Sequence, residues 1–370
     1  MEETMLSRFR LPGPTPLPPA VLAAMQRPMI PHRSAAYKTF HRGLLEKLAL
    51  VHRTQGDVMV FPASGSAGWE VAIVNLFSPG DRVLCAIGGE FGERFFAAAV
   101  ALGLDAQRLD VAPGRAVTPD LLRAALVAGG PVKGVFLTHN ETATGVTNPL
   151  RELAATARDA GALVVVDAVS SASGLPLEVD AWGLDFVLSG SQKAWMCPPG
   201  MLIVAVGERC WPAYEQSRYP KFFWDLKTMR AAAAEGMTPT TPPLSLMYAL
   251  DAALDMMLAE TIEGVWARHA RLGERTRAGA RALGLDLLAD PAYASNTVTA
   301  VMAPGGAGAK RIVARLEQEH GIVVTGGQGA MADTIVRIGH MGWCDDEDID
   351  VALAALGEVI ATAPVGAGRA

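Results

Sequence analysis

The sequence predicts a doubly wound α/β protein, mainly parallel in its sheet, with a smaller α+β unit at its carboxyl end. Three observations carry this. Short apolar runs alternate with amphipathic stretches from Val58 to Val206. Runs such as Leu163-Val164-Val165-Val166 are apolar throughout, as in strands covered by helices on both faces. The rhythm breaks at Thr240-Thr241-Pro242-Pro243 and resumes over the final ~85 residues. With 370 residues the chain has ample surface to bury in one large domain and one small one. We place an arm at 1–20, the large domain at 21–255, and the small domain with its linking helix at 256–370.

The elements follow in order. Leu11-Pro12-Gly13-Pro14-Thr15-Pro16-Leu17-Pro18-Pro19 reads as an extended arm, because proline fixes φ and lacks an N–H. A helix is expected over Tyr37–Arg53, then strand Val58–Phe61 and helix Gly65–Leu76. Strand Arg82–Ile87, helix Glu93–Leu102, strand Ala106–Val111 and helix Thr118–Val127 continue the alternation. Gly134–Thr138, Leu163–Asp167, Phe186–Ser189 and Met201–Val206 read as strands, with a helix at Leu150–Ala160. Past the Pro-rich break one long helix is expected from Leu244 to about Leu283. The carboxyl unit reads as strand Thr297–Val301, helix Ala309–His320, strands Ile322–Val324 and Thr334–Ile338, and helix Asp345–Ile360.

Composition removes several classes. Half the residues are hydrophobic, yet no apolar run approaches the ~20 residues that span a bilayer. Met1-Glu2-Glu3-Thr4 carries acids where a signal peptide carries bases. Net charge is −6, with Lys and Arg dispersed, so neither a nucleic-acid nor a membrane partner is expected. Cys85, Cys197, Cys210 and Cys344 show no zinc spacing and suggest no disulfide framework. A cytoplasmic protein without a bound metal is the expectation.

The chemistry starts with two residues. Asp167 ends the Leu163–Asp167 strand, and Lys193 ends Ser189-Gly190-Ser191-Gln192-Lys193, 26 residues on. Alone, an Asp at a strand end is a turn residue and a lone Lys is a solvated charge. Together, at the edge where doubly wound sheets bind ligands, they match the needs of pyridoxal phosphate (PLP). The amine forms a Schiff base with the cofactor, and the carboxylate keeps the pyridine nitrogen protonated.

Other residues fall around this pair. Ser64-Gly65-Ser66 follows a strand and opens a helix, where amides and hydroxyls form an anion site or, more blandly, an N-cap. Phe91, in Gly88-Gly89-Glu90-Phe91-Gly92, is placed to stack on a flat ring or to anchor its loop. Val169, two residues past Asp167, points the same way if the chain stays extended. Thr142 lies in the polar run Thr138-His139-Asn140-Glu141-Thr142-Ala143-Thr144-Gly145, placed to reach the cofactor's phenolic oxygen or the Schiff base; His139 reads as a satisfied, partly buried histidine.

These motifs, with Pro198-Pro199-Gly200, Thr238-Pro239-Thr240-Thr241-Pro242-Pro243 and Arg337-Ile338-Gly339-His340-Met341-Gly342, resemble the class V aminotransferases of PLP fold type I. The alanine–glyoxylate and serine–glyoxylate group is the nearest likeness, and it runs over nearly the whole chain. The resemblance implies that Lys193 carries the cofactor, Asp167 pairs with its ring nitrogen, and Phe91 and Val169 sandwich the ring. It implies that Ser64, Gly65, Ser66 and Gln192 hold the phosphate. It also implies that Thr240 reaches the phosphate of a neighbouring subunit, in a homodimer with shared sites. Arg337 matches the arginine that clamps the substrate carboxylate, a role a guanidinium fork suits, and Gly13 falls on the same substrate side. Where the animal alanine–glyoxylate enzyme has tyrosine, tryptophan and smaller residues, this chain has Met237, Phe91 and Trp195-Met196; side-chain specificity is therefore left open.

The function expected is ping-pong transamination from a small amino acid, alanine or serine, to a 2-oxo acid such as glyoxylate or pyruvate. Rival readings are a cysteine desulfurase, lyase or epimerase on the same fold, and a non-catalytic PLP-fold binder. Oxo-acid dehydrogenase chemistry is the remotest, since no glycine fingerprint is present.

Overall fold

Burial on both faces decides which apolar runs become the inner strands of the main sheet. The computed structural model describes residues 8–305 and 308–362. Its strands are β1 (Asp57–Phe61), β2 (Arg82–Ile87), β3 (Asp105–Asp110), β4 (Gly134–Thr138), β5 (Asn140–Glu141) and β6 (Val146–Thr147). They continue with β7 (Leu163–Asp167), β8 (Phe186–Gly190), β9 (Leu202–Val206), β10 (Val298–Met302), β11 (Thr325–Gly326) and β12 (Ile335–Gly339). Seven form one sheet in the order β1-β9-β8-β7-β4-β2-β3. Only β9 runs against its neighbours, β1 and β8. Every residue of β4, β7, β8 and β9 is buried, which at about 1.5–3 kcal/mol per large apolar side chain makes them the stable floor of the molecule. The polar strand β3 lies at the edge, half exposed.

Helices cover both faces. One, Ala67–Leu76, lies so close that a Cβ on Gly68 would stand 2.8 Å from Leu188 Cβ in β8. Phe95, from the helix Glu90–Ala101, stacks on Phe136 of β4 with centroids 4.5 Å apart. A second, antiparallel sheet, β10-β12-β11, is backed by the helices Ala309–His320 and Asp346–Ala361. The latter opens with a capping box between Asp345 and Asp348.

Three expectations need correction. The single long helix from Leu244 is two, Leu244–Glu260 and Ile262–Ala282. Thr261 breaks it by adopting a φ of 69° and capping the second helix, its hydroxyl accepting from the Gly264 N–H. Ile322–Val324 is not a strand of the small sheet. Val323 instead holds the N-terminal arm, donating to Arg8 O and accepting from the Arg10 N–H at 2.8 Å. The arm is extended as expected until Pro19, which starts a short helix, Pro19–Ala24, where its missing N–H costs nothing. The hairpin β5–β6 and the helices Cys210–Gln216 and Leu226–Ala234 had no clear sequence signal. Among the described residues, no helix is long and apolar enough to cross a membrane.

Candidate active site

The parallel strands end on a common edge, and the segments leaving β1, β2, β4, β7 and β8 meet there. Asp167, at the end of β7, pairs in register with Thr138 and Leu188 and is 3% exposed. Its Oδ2 accepts from Trp69 Nε1 and its Oδ1 from the Val169 N–H, both at 2.9 Å. Burial raises its pKa, those two hydrogen bonds pull it down, and Lys193 adds a weaker lowering. A buried carboxylate with two neutral donors and no ion pair to any described residue is suited to a cationic partner. The protonated nitrogen of PLP is such a partner.

Lys193, leaving β8, is 9% exposed. Its Nζ donates to the carbonyl of Pro12 in the arm. Burial and the Arg337 charge lower its pKa to about 8, against the opposing pull of Asp167. Lys193, Asp167 and Arg337 thus share one electrostatic neighbourhood. The arm seals this lysine: Thr15 Oγ1 donates to Lys193 O at 3.0 Å, and the Thr15 N–H donates to Gln192 O. Gly13 has a φ of 101°, and a Cβ there would stand 2.4 Å from Lys193 Cδ, so only glycine fits.

The turn Ser64–Ser66 brings the start of the helix Ala67–Leu76 to the same edge. Ser64 and Ser66 are exposed, and no hydrogen bond among the described residues engages their hydroxyls or the Gly65 and Ser66 amides. A Cβ on Gly65 would meet Val169 Cγ2 at 2.7 Å and Gly190 Cα at 3.6 Å. The turn therefore abuts both strand ends that carry Asp167 and Lys193. Gln192 Oε1 is buried without a partner. Free amides, two hydroxyls and an amide side chain at a helix N-terminus fit a phosphate.

On the other side stands Arg337, in β12, 4% exposed. Its Nε donates to Gly326 O at 2.8 Å and its Nη1 to Thr142 O at 3.2 Å. Burial lowers its pKa, and Glu141 opposes that. No described residue accepts from Nη2, which leaves part of the fork for a ligand carboxylate. Phe91 is half-buried at the start of the helix Glu90–Ala101, a turn earlier than the sequence suggested. Thr142 donates its hydroxyl to Ser170 Oγ at 2.7 Å. His139 is buried, edge-on to Trp182, with its pKa lowered to about 4 by burial.

No hydrogen bond among the described residues joins Thr240 to this group. It is exposed and lines a separate groove with Phe61, Pro62, Phe222 and Phe223. It does not cap the following helix, whose N-cap is Pro243 without a side-chain bond. Trp195 is a fully buried core residue, donating to Ser189 Oγ at 3.2 Å, and Met237 lies against Arg33. All four cysteines are buried; burial pushes the Cys344 thiol up to about 12 and raises Cys197 further.

Two residues of this edge escaped the sequence reading. Trp69, which orients Asp167, lies three residues beyond the Ser64–Ser66 turn, and nothing local marks its partner. Glu141 sits inside a motif read for Thr142 instead. It is 1% exposed, and burial pushes its carboxyl up to about 7 despite three backbone N–H donors.

Residues 10–351 match the family model for class V aminotransferases. The chain is 40% identical over 354 residues to a protein named the small subunit of a soluble hydrogenase from Synechococcus sp., covering 95% of this chain and 92% of that one. It is 36% identical to a serine–glyoxylate aminotransferase of Methylorubrum extorquens, over 90% of this chain and 85% of that one. The crystal structure of an alanine–glyoxylate aminotransferase from Nostoc sp. superposes with a TM-score of 0.92 at 31% identity, covering 95% of each chain.

The lowered Lys193 pKa has a kinetic signature. The rate at which cofactor-free protein captures added PLP, followed by absorbance, should rise with pH and level off above about 8, as the neutral amine becomes the dominant form. In an Arg337→Ala variant the midpoint should move upward, because one of the two lowering causes is gone. A midpoint near the ordinary lysine value in the wild type would contradict the buried setting.

Proposed function

The chain belongs to the class V aminotransferases, PLP-dependent enzymes, and on that premise we propose that it moves the amino group of alanine or serine to glyoxylate or pyruvate. The observation that carries this reading is the convergence of Lys193, Asp167 and Arg337 at one buried edge. The names of the serine–glyoxylate and alanine–glyoxylate relatives support the choice of substrates. So does the arm, which crowds Lys193 closely at Gly13 and favours a small substrate.

When bound, PLP supplies an electron-withdrawing ring that stabilises negative charge at the substrate Cα. The protein does the rest. Ser64, Gly65, Ser66 and Gln192 would hold the phosphate, and Phe91 and Val169 would flank the ring. Asp167, oriented by Trp69, keeps a proton on the ring nitrogen. Arg337 takes the substrate α-carboxylate through the free part of its fork, which turns the Cα–H toward Lys193. Lys193 Nζ would take the proton from the substrate Cα as base and hold it for return as acid, on the one face that the lysine reaches. The arm and the small sheet exclude water while it does so. No cysteine among the described residues is an exposed thiolate, which gives the desulfurase reading no nucleophile.

Thr240 fits this reading only across a dimer. In its own chain it lies in the groove beside Phe61 and Pro62, and Phe222 in that groove is 94% exposed. We assign that face to a second copy of the chain, whose phosphate turn Thr240 then reaches, in a cytoplasmic homodimer.

The direct test is a half-reaction. Wild-type holoenzyme mixed with alanine or serine alone should lose the absorbance of the bound aldehyde, and glyoxylate should restore it. Arg337→Ala should bind PLP with unchanged colour yet need at least tenfold more amino acid, the cost of one lost charge-assisted pair. Loss of PLP instead would move Arg337 out of the substrate site, and no spectral change in the wild type with any amino acid would end the proposal. For the dimer, Lys193→Ala is mixed with a variant crippled at Thr240 after subunit exchange. Shared sites predict partial recovery of activity, since one mixed site then carries both lesions; no recovery counts against sharing.

A further inference from the structure

The side chain of Glu141 accepts three backbone hydrogen bonds at this edge, yet it has no role in the function proposed. It lies in β5, in the hairpin that follows β4. Its Oε2 accepts from the N–H groups of Phe91 and Gly92, each at 3.1 Å, and its Oε1 from the Ala143 N–H at 3.0 Å. The first two open the helix Glu90–Ala101, so an anion sits at a helix N-terminus, where free amides and the dipole favour it. Gly89 admits it: a Cβ there would stand 2.7 Å from Glu141 Cδ. The backbone carbonyl of Glu141 accepts from the Gly145 N–H at 2.9 Å and the Thr144 N–H at 3.2 Å. One residue therefore grips both sides of the 141–145 turn, and the next carbonyl, Thr142 O, is the acceptor for Arg337 Nη1.

Two site elements far apart in sequence thus hang on one carboxylate. Phe91 follows β2, Arg337 is in β12 of the small sheet, and Glu141 fixes the backbone that places the first and orients the second. Its charge also acts across the site: it opposes the burial that lowers the Arg337 pKa, and Asp167 in turn helps to push the Glu141 carboxyl upward. In its ionised form Glu141 balances a guanidinium that would otherwise be buried without a counter-charge.

We propose that Glu141 is a positioning residue of the reaction, pinning the cofactor-stacking ring and the substrate-carboxylate clamp through a single side chain. This rests on the reading of Phe91 and Arg337 given above. It makes two separable demands, on cofactor affinity through Phe91 and on substrate affinity through Arg337.

The test is Glu141→Gln, which keeps the volume but sets an amide N–H against a backbone N–H and removes the charge. Two constants are measured on folded protein, the PLP dissociation constant of the cofactor-free form by fluorescence titration and KM for the amino acid at saturating PLP, with kcat recorded alongside the latter. Loss of one charge-assisted hydrogen bond per element should raise each of the two constants about tenfold, with kcat changed less than KM. In a Phe91→Ala background, Glu141→Gln should no longer weaken PLP, while its effect on KM should persist. If Glu141→Gln does not fold, Glu141→Asp, which keeps the charge but shortens the reach, takes its place with the same readouts. Constants within about twofold of wild type in the folded variant, or a drop confined to melting temperature, would overturn the proposal. The PLP arm does not require turnover, so a wild type that binds PLP but transaminates nothing would count against the function and leave Glu141 to be judged on cofactor affinity.

Discussion

A carboxylate buried at the end of a parallel strand is the constraint on which the rest of this molecule depends. Asp167 cannot be solvated where β7 ends, and its two hydrogen bonds come from neutral groups, the Trp69 indole and the Val169 amide. Removing a charge from water without a counter-ion costs several kcal/mol after relaxation. The fold supplies rigid donors for both oxygens and directs the anion toward the space where a flat cation binds. The helix Ala67–Leu76 provides Trp69 from one end and the phosphate turn just before it. In the proposed site a single helix would therefore locate both the ring nitrogen and the phosphate, with no loop between them.

The second constraint is closure. Main-sheet strands carry Asp167 and Lys193, whereas Arg337 belongs to the small sheet, and the arm ties the two together. Arg10 donates to Val323 O, its carbonyl accepts from the Gly339 N–H at 2.7 Å, and three residues on Gly13 lies against Lys193. Opposite the arm, Arg337 reaches Thr142 O in the large unit. Arg337 and Lys193 are thus enclosed by contacts on both sides, and the burial lowers the lysine pKa by desolvation.

Much of this was legible in the sequence, for local reasons. Strands β2, β4 and β7 were bounded correctly because each is a short apolar run flanked by Gly, Pro or charge, and a run buried on both faces carries its own signal. Thr261 was not legible: a helix break made by a threonine at positive φ has neither glycine nor proline to announce it. Val323 sits in an apolar stretch that resembles a strand, but its backbone is committed to the arm over 300 residues away. At the site, Lys193, Asp167 and the Ser64 turn stood out by residue type at strand ends. Trp69 and Glu141 did not, because their partners are long-range, and their residue types, a core aromatic and a loop acid, are those the surroundings would carry anyway.

The measurement that bears most directly on this account is turnover by Asp167→Asn at full PLP occupancy. The amide preserves the shape of the site but cannot hold the ring nitrogen protonated, so stabilisation of the developing charge at Cα is lost. The account predicts a kcat lower by about 10³-fold or more, with cofactor binding retained. A variant that keeps its cofactor and slows only a few-fold would contradict it.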